Sequence, residues 1–186
     1  MAVATYTRTT ILLHWGIAAL IFLNIAAGFL MVSYPKQAPQ HDAVLFWHAS
    51  FGSLIFLLAV VRLIWRLGHR PPPLPDSIPA WQRGAAHALH WTLYVLMLVL
   101  PFSGYLHRLA GGHEVSFFGL FYWPQIITKD EPFRVFTHNL HVTLAWTLCI
   151  LIVGHIGAAL KHALIDHDGV LQRILPSRAQ QSSGSR

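Results

Sequence analysis

The chain has 186 residues, of which 54% are hydrophobic and 11% charged, and its mean hydropathy is +0.49. This composition excludes an ordinary soluble domain and is typical of a membrane protein. The formal charge of +6 does not indicate nucleic-acid binding, because the basic residues flank apolar stretches. The single cysteine, Cys149, excludes an internal disulfide and every paired-cysteine motif.

Four apolar stretches are each long enough to cross about 30 Å of hydrocarbon as a helix. They predict an all-α membrane protein, a four-transmembrane-helix bundle with helices over about residues 10–32, 43–65, 84–106 and 137–162. The first stretch lacks a small-residue cleavage site, so we expect a retained anchor and not a signal peptide. One domain is predicted over residues 1–176, followed by a disordered polar tail over residues 177–186.

The connections between these stretches differ in character. The second is proline-rich (GHRPPPLPDSIP) and predicts a semi-rigid link. The third, about residues 108–136, contains FFGLFYWPQ, and we expect a partly structured cap, with a short helix as one option.

The basic residues predict the orientation. Nine lie at the N-terminus, in the second connection and in the tail: Arg8, Arg62, Arg66, Arg70, Arg83, Lys161, Arg173, Arg178 and Arg186. Four lie in the other two connections: Lys36, Arg108, Lys129 and Arg134. This bias predicts that both termini are cytoplasmic. No Asp or Glu falls inside a predicted helix core, which argues against proton-coupled transport and carboxylate di-iron chemistry.

Histidines are as numerous as Lys and Arg together, 13 of each, and four of them form a pattern. His141 and His155 are fourteen residues apart on the fourth stretch, about 21 Å along a helix and within about 40° of one face. The predicted orientation puts His14 at the level of His155, near the cytoplasm, and His48 at the level of His141, near the periplasm. Two opposed imidazoles are what the iron of a six-coordinate haem b requires. The sequence therefore predicts two b haems, one ligated by His14 and His155 and the other by His48 and His141.

Arg62 follows His48 by fourteen residues and is predicted at the cytoplasmic level. A cation at that depth either binds haem propionates or snorkels to the membrane surface. Gly52, Gly154 and Gly157 lie near the ligand histidines. They either let a macrocycle approach or allow close helix packing.

The sequence gives less reason to assign the other histidines as haem ligands. His87 and His90 share a helix face and are candidates for propionate contact, quinone contact or ligation, although headgroups or water can also satisfy them. His138 is an alternative to His141, and His162 to His155. The remaining ones are expected in solvent: His41, His69, His107, His113 and His167. No tight Cys/His cluster with zinc spacing is present.

The chain resembles the bacterial cytochrome b561 family of di-haem four-helix membrane proteins, and within it the superoxide oxidase group. The matching segments run from Tyr6 to Pro176: TTILLHWGIA, LFWHASFG, VVRLIWRL, GAAHALHWTLYVLMLVLPFSGY, FFGLFYWP, NLHVTLAW, VGHIGAALKH and LQRILP. The family's haem ligands fall on His14, His48, His141 and His155. The resemblance implies electron transfer from periplasmic superoxide through two b haems to ubiquinone.

Superoxide is an anion, and a cationic funnel at the periplasmic mouth would attract it. Lys36, Arg108, Lys129 and Arg134 are the candidates, offset by four acidic residues on that side. One alternative is a cytochrome b subunit that relays electrons between quinone and a dehydrogenase, a hydrogenase or a periplasmic redox protein. A third class is a histidine-rich protein that handles metal or haem.

Overall fold

The computed structural model describes residues 5–69, 71–75 and 77–176. Its main elements are four helices: α1 (Arg8–Ser33), α2 (Pro39–Gly68), α3 (Ala80–Ala110) and α4 (Glu131–Lys161). Each contains a window with a mean hydropathy between 1.5 and 2.2, so all four are long and apolar enough to cross a membrane. The predicted all-α, four-helix membrane fold is confirmed. The tail predicted over residues 177–186 lies outside the described residues.

The helices are longer than the apolar stretches that predicted them. Helix α4 begins six residues early because Asp130 caps it, its carboxylate accepting a hydrogen bond from the Phe133 amide at 2.9 Å. Pro132 suits the first turn because it lacks an N–H that would need a partner there. Hydropathy identifies only the apolar segment of a helix, whereas capping residues allow the helix to continue into polar sequence.

Packing joins the helices into two pairs. Helix α1 packs along α2, α3 packs along α4, and α2 also contacts α3. Within the described residues, α4 makes no comparably close backbone contact with α1 or α2. A cluster of buried side chains fills the middle of the bundle: Ile17, Ile21, Ile55, Ala59, Tyr94, Leu96, Met97 and Leu148. The two pairs therefore meet closely along α2 and α3, whereas α4 approaches α1 and α2 through side chains.

The outer surface of the bundle is apolar, as lipid requires. On α4, Leu148 is buried, whereas Trp146 and Val153 are 56% and 71% exposed. Leu144 and Leu151 lie against the buried cluster. The inner face of α4 is thus a leucine stripe that separates His141 from His155.

One end of the bundle carries a β-hairpin, and we call it the hairpin end. Strands β1 (Ser116–Phe117) and β2 (Phe121–Tyr122) pair antiparallel. The third connection, expected to be a partly structured cap, thus contains a hairpin and not a short helix. Ser50 of α2 is fully buried, and its Oγ donates to the Ser116 carbonyl at 3.3 Å and accepts from the Phe118 amide at 3.1 Å. The hairpin is thereby fixed to α2.

The opposite end holds both ends of the described chain, and we call it the terminal end. After α4 the chain forms a π-helical turn (His162–Asp166) and a 3₁₀ turn (Leu171–Arg173). The Tyr6 amide donates to the Arg173 carbonyl at 3.2 Å, and the Trp15 indole donates to the Ile174 carbonyl at 2.9 Å. These bonds hold the C-terminal segment across the start of α1.

Candidate functional site

The structure brings the four candidate histidines together as two pairs. His14 of α1 faces His155 of α4 near the terminal end, with ring centroids 6.3 Å apart. His48 of α2 faces His141 of α4 near the hairpin end, with ring centroids 6.2 Å apart. Each pair joins the α1–α2 unit to α4, where the backbones themselves do not touch closely.

These separations suit a metal ion between the rings. Two imidazoles bound to opposite faces of one ion, with bonds of about 2 Å, have ring centres roughly 6 Å apart. The ring planes are steeply inclined, by 69° in one pair and 81° in the other. Each pair is therefore spaced as two imidazole ligands of one haem iron would be. Ligation by these residues stays a prediction.

Hydrogen bonds orient both rings at the hairpin end. The Nδ1 of His48 lies 3.1 Å from the Asn24 carbonyl oxygen on α1, and the Nδ1 of His141 lies 3.1 Å from the Leu100 carbonyl oxygen on α3. A carbonyl oxygen only accepts, so the proton is on Nδ1 in both rings and the Nε2 lone pair is available to a metal. Metal-binding histidines are commonly held in this way.

Two glycines that sequence analysis did not single out contact these rings. A Cβ built on Gly28 would lie 3.3 Å from Cε1 of His48, and one on Gly104 would lie 2.9 Å from Cε1 of His141. Each glycine follows the accepting carbonyl by four residues. The sequence shows this four-residue spacing, but it does not show that each glycine contacts a histidine of another helix.

The three predicted glycines have other surroundings. A Cβ on Gly52 would lie 3.5 Å from the Asn24 amide nitrogen, so Gly52 serves close packing of α1 and α2. At Gly154 and Gly157 a Cβ would meet nothing within 4 Å. The structure thus gives neither of them a contact that a side chain would obstruct.

A third imidazole joins the pair at the terminal end. The ring of His90, on α3, lies 5.4 Å from that of His155, whereas His87 is exposed.

His162, the weaker alternative to His155, bonds two carboxylates and not the pair. Its Nδ1 lies 2.5 Å from Asp168 and 3.3 Å from Asp166. These three could hold a metal ion, although the Lys161 ammonium already neutralises Asp166 at 2.5 Å.

Arg62 also lies at the level of the terminal-end pair. Its Nε donates to the Tyr94 hydroxyl at 3.1 Å, and the Arg66 guanidinium lies over the rings of Trp91 and Tyr94. Within the described chain, neither arginine forms an ion pair with a carboxylate. Two guanidinium groups held by a buried tyrosine can bind an acidic group.

A polar cavity of about 290 Å³ opens at the hairpin end. It is lined by His107, Arg108, Gly111, His113, Lys129, Glu131 and Arg134. Arg134 is paired with Glu131, which leaves Arg108 and Lys129 as the cations without a carboxylate partner among the described residues. Lys36, expected to join them, does not line this cavity.

His113 adds little charge to this cavity. Partial burial, followed by the nearby Arg108, Lys129 and Arg134 cations, lowers the pKa of His113 below its ordinary value. The ring is therefore neutral at pH 7, and the arginines and lysine carry the positive charge. His138, the weaker alternative to His141, lies beside His107 with ring centroids 5.1 Å apart and is exposed.

Comparison with known proteins agrees with this architecture. The family described as prokaryotic cytochrome b561 matches residues 5–177. Cytochrome b561 homolog 2 of Escherichia coli is 36% identical over 163 residues, covering 87% of this chain and 86% of that protein. Cytochrome b561 homolog 1 of the same organism is 31% identical over 173 residues, covering 93% and 98%. The probable superoxide oxidase CybB of Yersinia pestis is 25% identical over 173 residues, covering 93% and 97%.

The family match spans nearly the whole chain, and two relatives exceed 30% identity over most of their length. The four membrane-spanning helices agree with it. The chain therefore belongs to the prokaryotic cytochrome b561 family of electron-transfer membrane proteins, which bind b-type haem.

Proposed function

We propose that the chain is a di-haem oxidoreductase of the bacterial inner membrane that oxidises periplasmic superoxide and reduces ubiquinone. The observation that carries this proposal is the pair of imidazole sites, one near each end of the bundle, each with ring centroids 6.2 or 6.3 Å apart. A relative named as a probable superoxide oxidase supports the choice of substrate.

The ligand sets follow from these pairs. His14 and His155 hold one haem b at the terminal end, and His48 and His141 hold the other at the hairpin end. When bound, haem supplies reversible one-electron transfer at each level. Arg62 is the proposed partner of haem propionates at the terminal end, because its guanidinium has a tyrosine hydroxyl but no described carboxylate beside it.

The overall reaction balances without acid–base chemistry at the superoxide. Two superoxide anions each lose one electron and become O2, and one quinone gains two electrons and two protons to become the quinol. The chain needs no nucleophile or general base for the first half. Its work is to position the haems and to attract the anion.

The proposed orientation puts the hairpin end in the periplasm and both termini in the cytoplasm. The bias of nine basic residues against four supports it. The cavity at the hairpin end then faces superoxide, and its Arg108 and Lys129 form no salt bridge with a carboxylate of the described residues. Their charge favours the approach of a small anion to the neighbouring His48–His141 level.

Rapid mixing tests the proposal. Purified protein is mixed with superoxide from an enzymatic generator, haem reduction is followed by its visible absorption, and a short-chain ubiquinone is then added. We expect reduction on mixing, reoxidation by the quinone, and no reduction when superoxide dismutase is present. Haem that stays oxidised at superoxide concentrations that reduce cytochrome c would contradict the substrate assignment.

A second candidate is a cytochrome b subunit that relays electrons between quinone and another redox protein. It is favoured by the two Escherichia coli relatives, which are named only as cytochrome b561 homologs and are more similar than the Yersinia pestis protein. Native-membrane purification distinguishes the two candidates. A stoichiometric redox partner, together with no reduction by superoxide, would support the relay.

A further inference from the structure

The two histidine pairs are held differently. At the hairpin end, both Nδ1 atoms bond main-chain carbonyls, those of Asn24 and Leu100. At the terminal end, the described residues offer no hydrogen bond to a ring nitrogen of His14 or His155. Arg62 lies close to the second pair instead, because it bonds Tyr94 one helical turn beyond His90, whose ring centroid is 5.4 Å from that of His155.

Glycine makes the carbonyls at the hairpin end accessible. In an α-helix the carbonyl of residue i points toward the N–H of residue i+4, and the side chain at i+4 lies beside it, as the back-bonding of Ser and Thr hydroxyls shows. Gly28 occupies that position for Asn24, and Gly104 occupies it for Leu100. Both carbonyls are therefore open to a donor from a neighbouring helix.

The space at both glycines is filled by the imidazoles. A Cβ on Gly104 would lie 2.9 Å from Cε1 and 3.0 Å from Nδ1 of His141, which the ring cannot tolerate without moving. A Cβ on Gly28 would lie 3.3 Å from Cε1 of His48, so that ring would have to give by a few tenths of an ångström. The same arrangement thus occurs twice, on α1 and on α3.

We infer that Gly28 and Gly104 are positioning residues that expose these carbonyls, and that they thereby give the hairpin-end haem the lower midpoint potential. The inference rests on the proposed ligation of two haems. An imidazole that donates its second N–H to a carbonyl is a more basic ligand, which stabilises the oxidised iron. At the terminal end the described residues offer His14 and His155 no such bond, and the positive charge of Arg62 stabilises the reduced state. The potential difference therefore favours electron movement from the hairpin end to the terminal end.

Redox titration of the purified full-length protein, followed by haem absorption with chemical mediators, tests this inference. The wild type should show two components. In Gly104→Ala the lower component should move to a more positive potential, while the upper component stays in place. The matched control is Gly84→Ala, at an exposed position of α3, where an added Cβ meets nothing within 4 Å and neither component should move.

Gly28→Ala provides an independent variant with a milder contact, in case Gly104→Ala does not fold or bind haem. It should move the same lower component in the same direction, although it acts through a different ligand and helix. The inference is overturned if Gly28→Ala keeps its haem content and both components keep their potentials, or if the upper component moves. A protein that binds only one haem would contradict the proposed function instead. Because mediators replace the substrate, failure to oxidise superoxide would leave these titrations valid.

Discussion

At the scale of single residues, the proposed function depends on imidazoles that helices place at two depths. An imidazole inside a membrane is costly unless its polar atoms have partners. His141 has two, the Leu100 carbonyl and the Ser103 hydroxyl, each 3.1 Å from Nδ1, and its Nε2 is left for a metal. His138, one turn away, is exposed and lies beside His107 instead.

His141→Ala should therefore lose about half of the bound haem, because one of the two proposed ligands at the hairpin end disappears while the terminal-end pair is intact. The haem content per chain is measured by pyridine haemochrome absorption. His138→Ala is the control and should retain the wild-type content. Equal haem content in the two variants would contradict the assignment of His141.

At the scale of elements, the four helices carry the site and the β-hairpin is attached to α2 at a few points. Ser50 makes the buried connection, since its hydroxyl satisfies both the Ser116 carbonyl and the Phe118 amide. Ser53, one turn later, bonds only the Ala49 carbonyl of its own helix at 2.9 Å. Substituting Ser50 therefore removes the attachment of the hairpin, whereas substituting Ser53 removes only a bond within α2.

Ser50→Ala should destabilise the protein by about 1–3 kcal/mol, because a buried amide and a carbonyl lose their partner. Ser53→Ala should change the stability by less than about 0.5 kcal/mol. Thermal unfolding in detergent, followed by circular dichroism, measures both. If the two variants unfold alike, the hairpin does not depend on Ser50.

At the scale of the whole molecule, the two ends of the bundle differ in structure and charge. The hairpin end has a cavity with two unpaired cations among its described lining residues, and the terminal end has the arginines of α2 and the folded C-terminal segment. The two ends of the molecule therefore present different groups to the two sides of the membrane.

The orientation can be tested by cysteine labelling after Cys149→Ser removes the native thiol. Leu120, in the hairpin, is 77% exposed, and Gln172, at the terminal end, is also exposed. With a membrane-impermeant maleimide on spheroplasts, Leu120→Cys should react at once and Gln172→Cys only after lysis. The reverse pattern would place the termini in the periplasm.

The cavity charge should govern the rate of reaction with superoxide. Arg108→Gln or Lys129→Gln should slow haem reduction roughly two- to five-fold at low ionic strength, since the anion loses a steering charge. The difference should shrink at high salt because of screening. Lys36→Gln, outside the cavity, is the matched control and should have little effect. A rate insensitive to salt and to both cavity variants would argue against electrostatic attraction at this end.

Much of the architecture follows from the sequence by itself. Helical rise and bilayer thickness are set by backbone hydrogen bonding and by lipid, so apolar length predicts four spans. The same regularity predicts that His141 and His155 lie at two depths on one face of α4. Charge bias then selects His14 and His48 as candidates for the same two levels, and the structure has both pairs with facing rings.

The contacts between helices were decided only by the tertiary structure. Lipid is as apolar as the bundle interior, so hydrophobic periodicity does not reveal how far each helix is rotated about its axis. That rotation brings Gly28 and Gly104 against the histidine rings and leaves Gly154 and Gly157 with open space beside them. It likewise brings His90, and not His87, to His155. Depth along a helix is local and predictable, whereas the neighbour met at that depth depends on how all four helices pack.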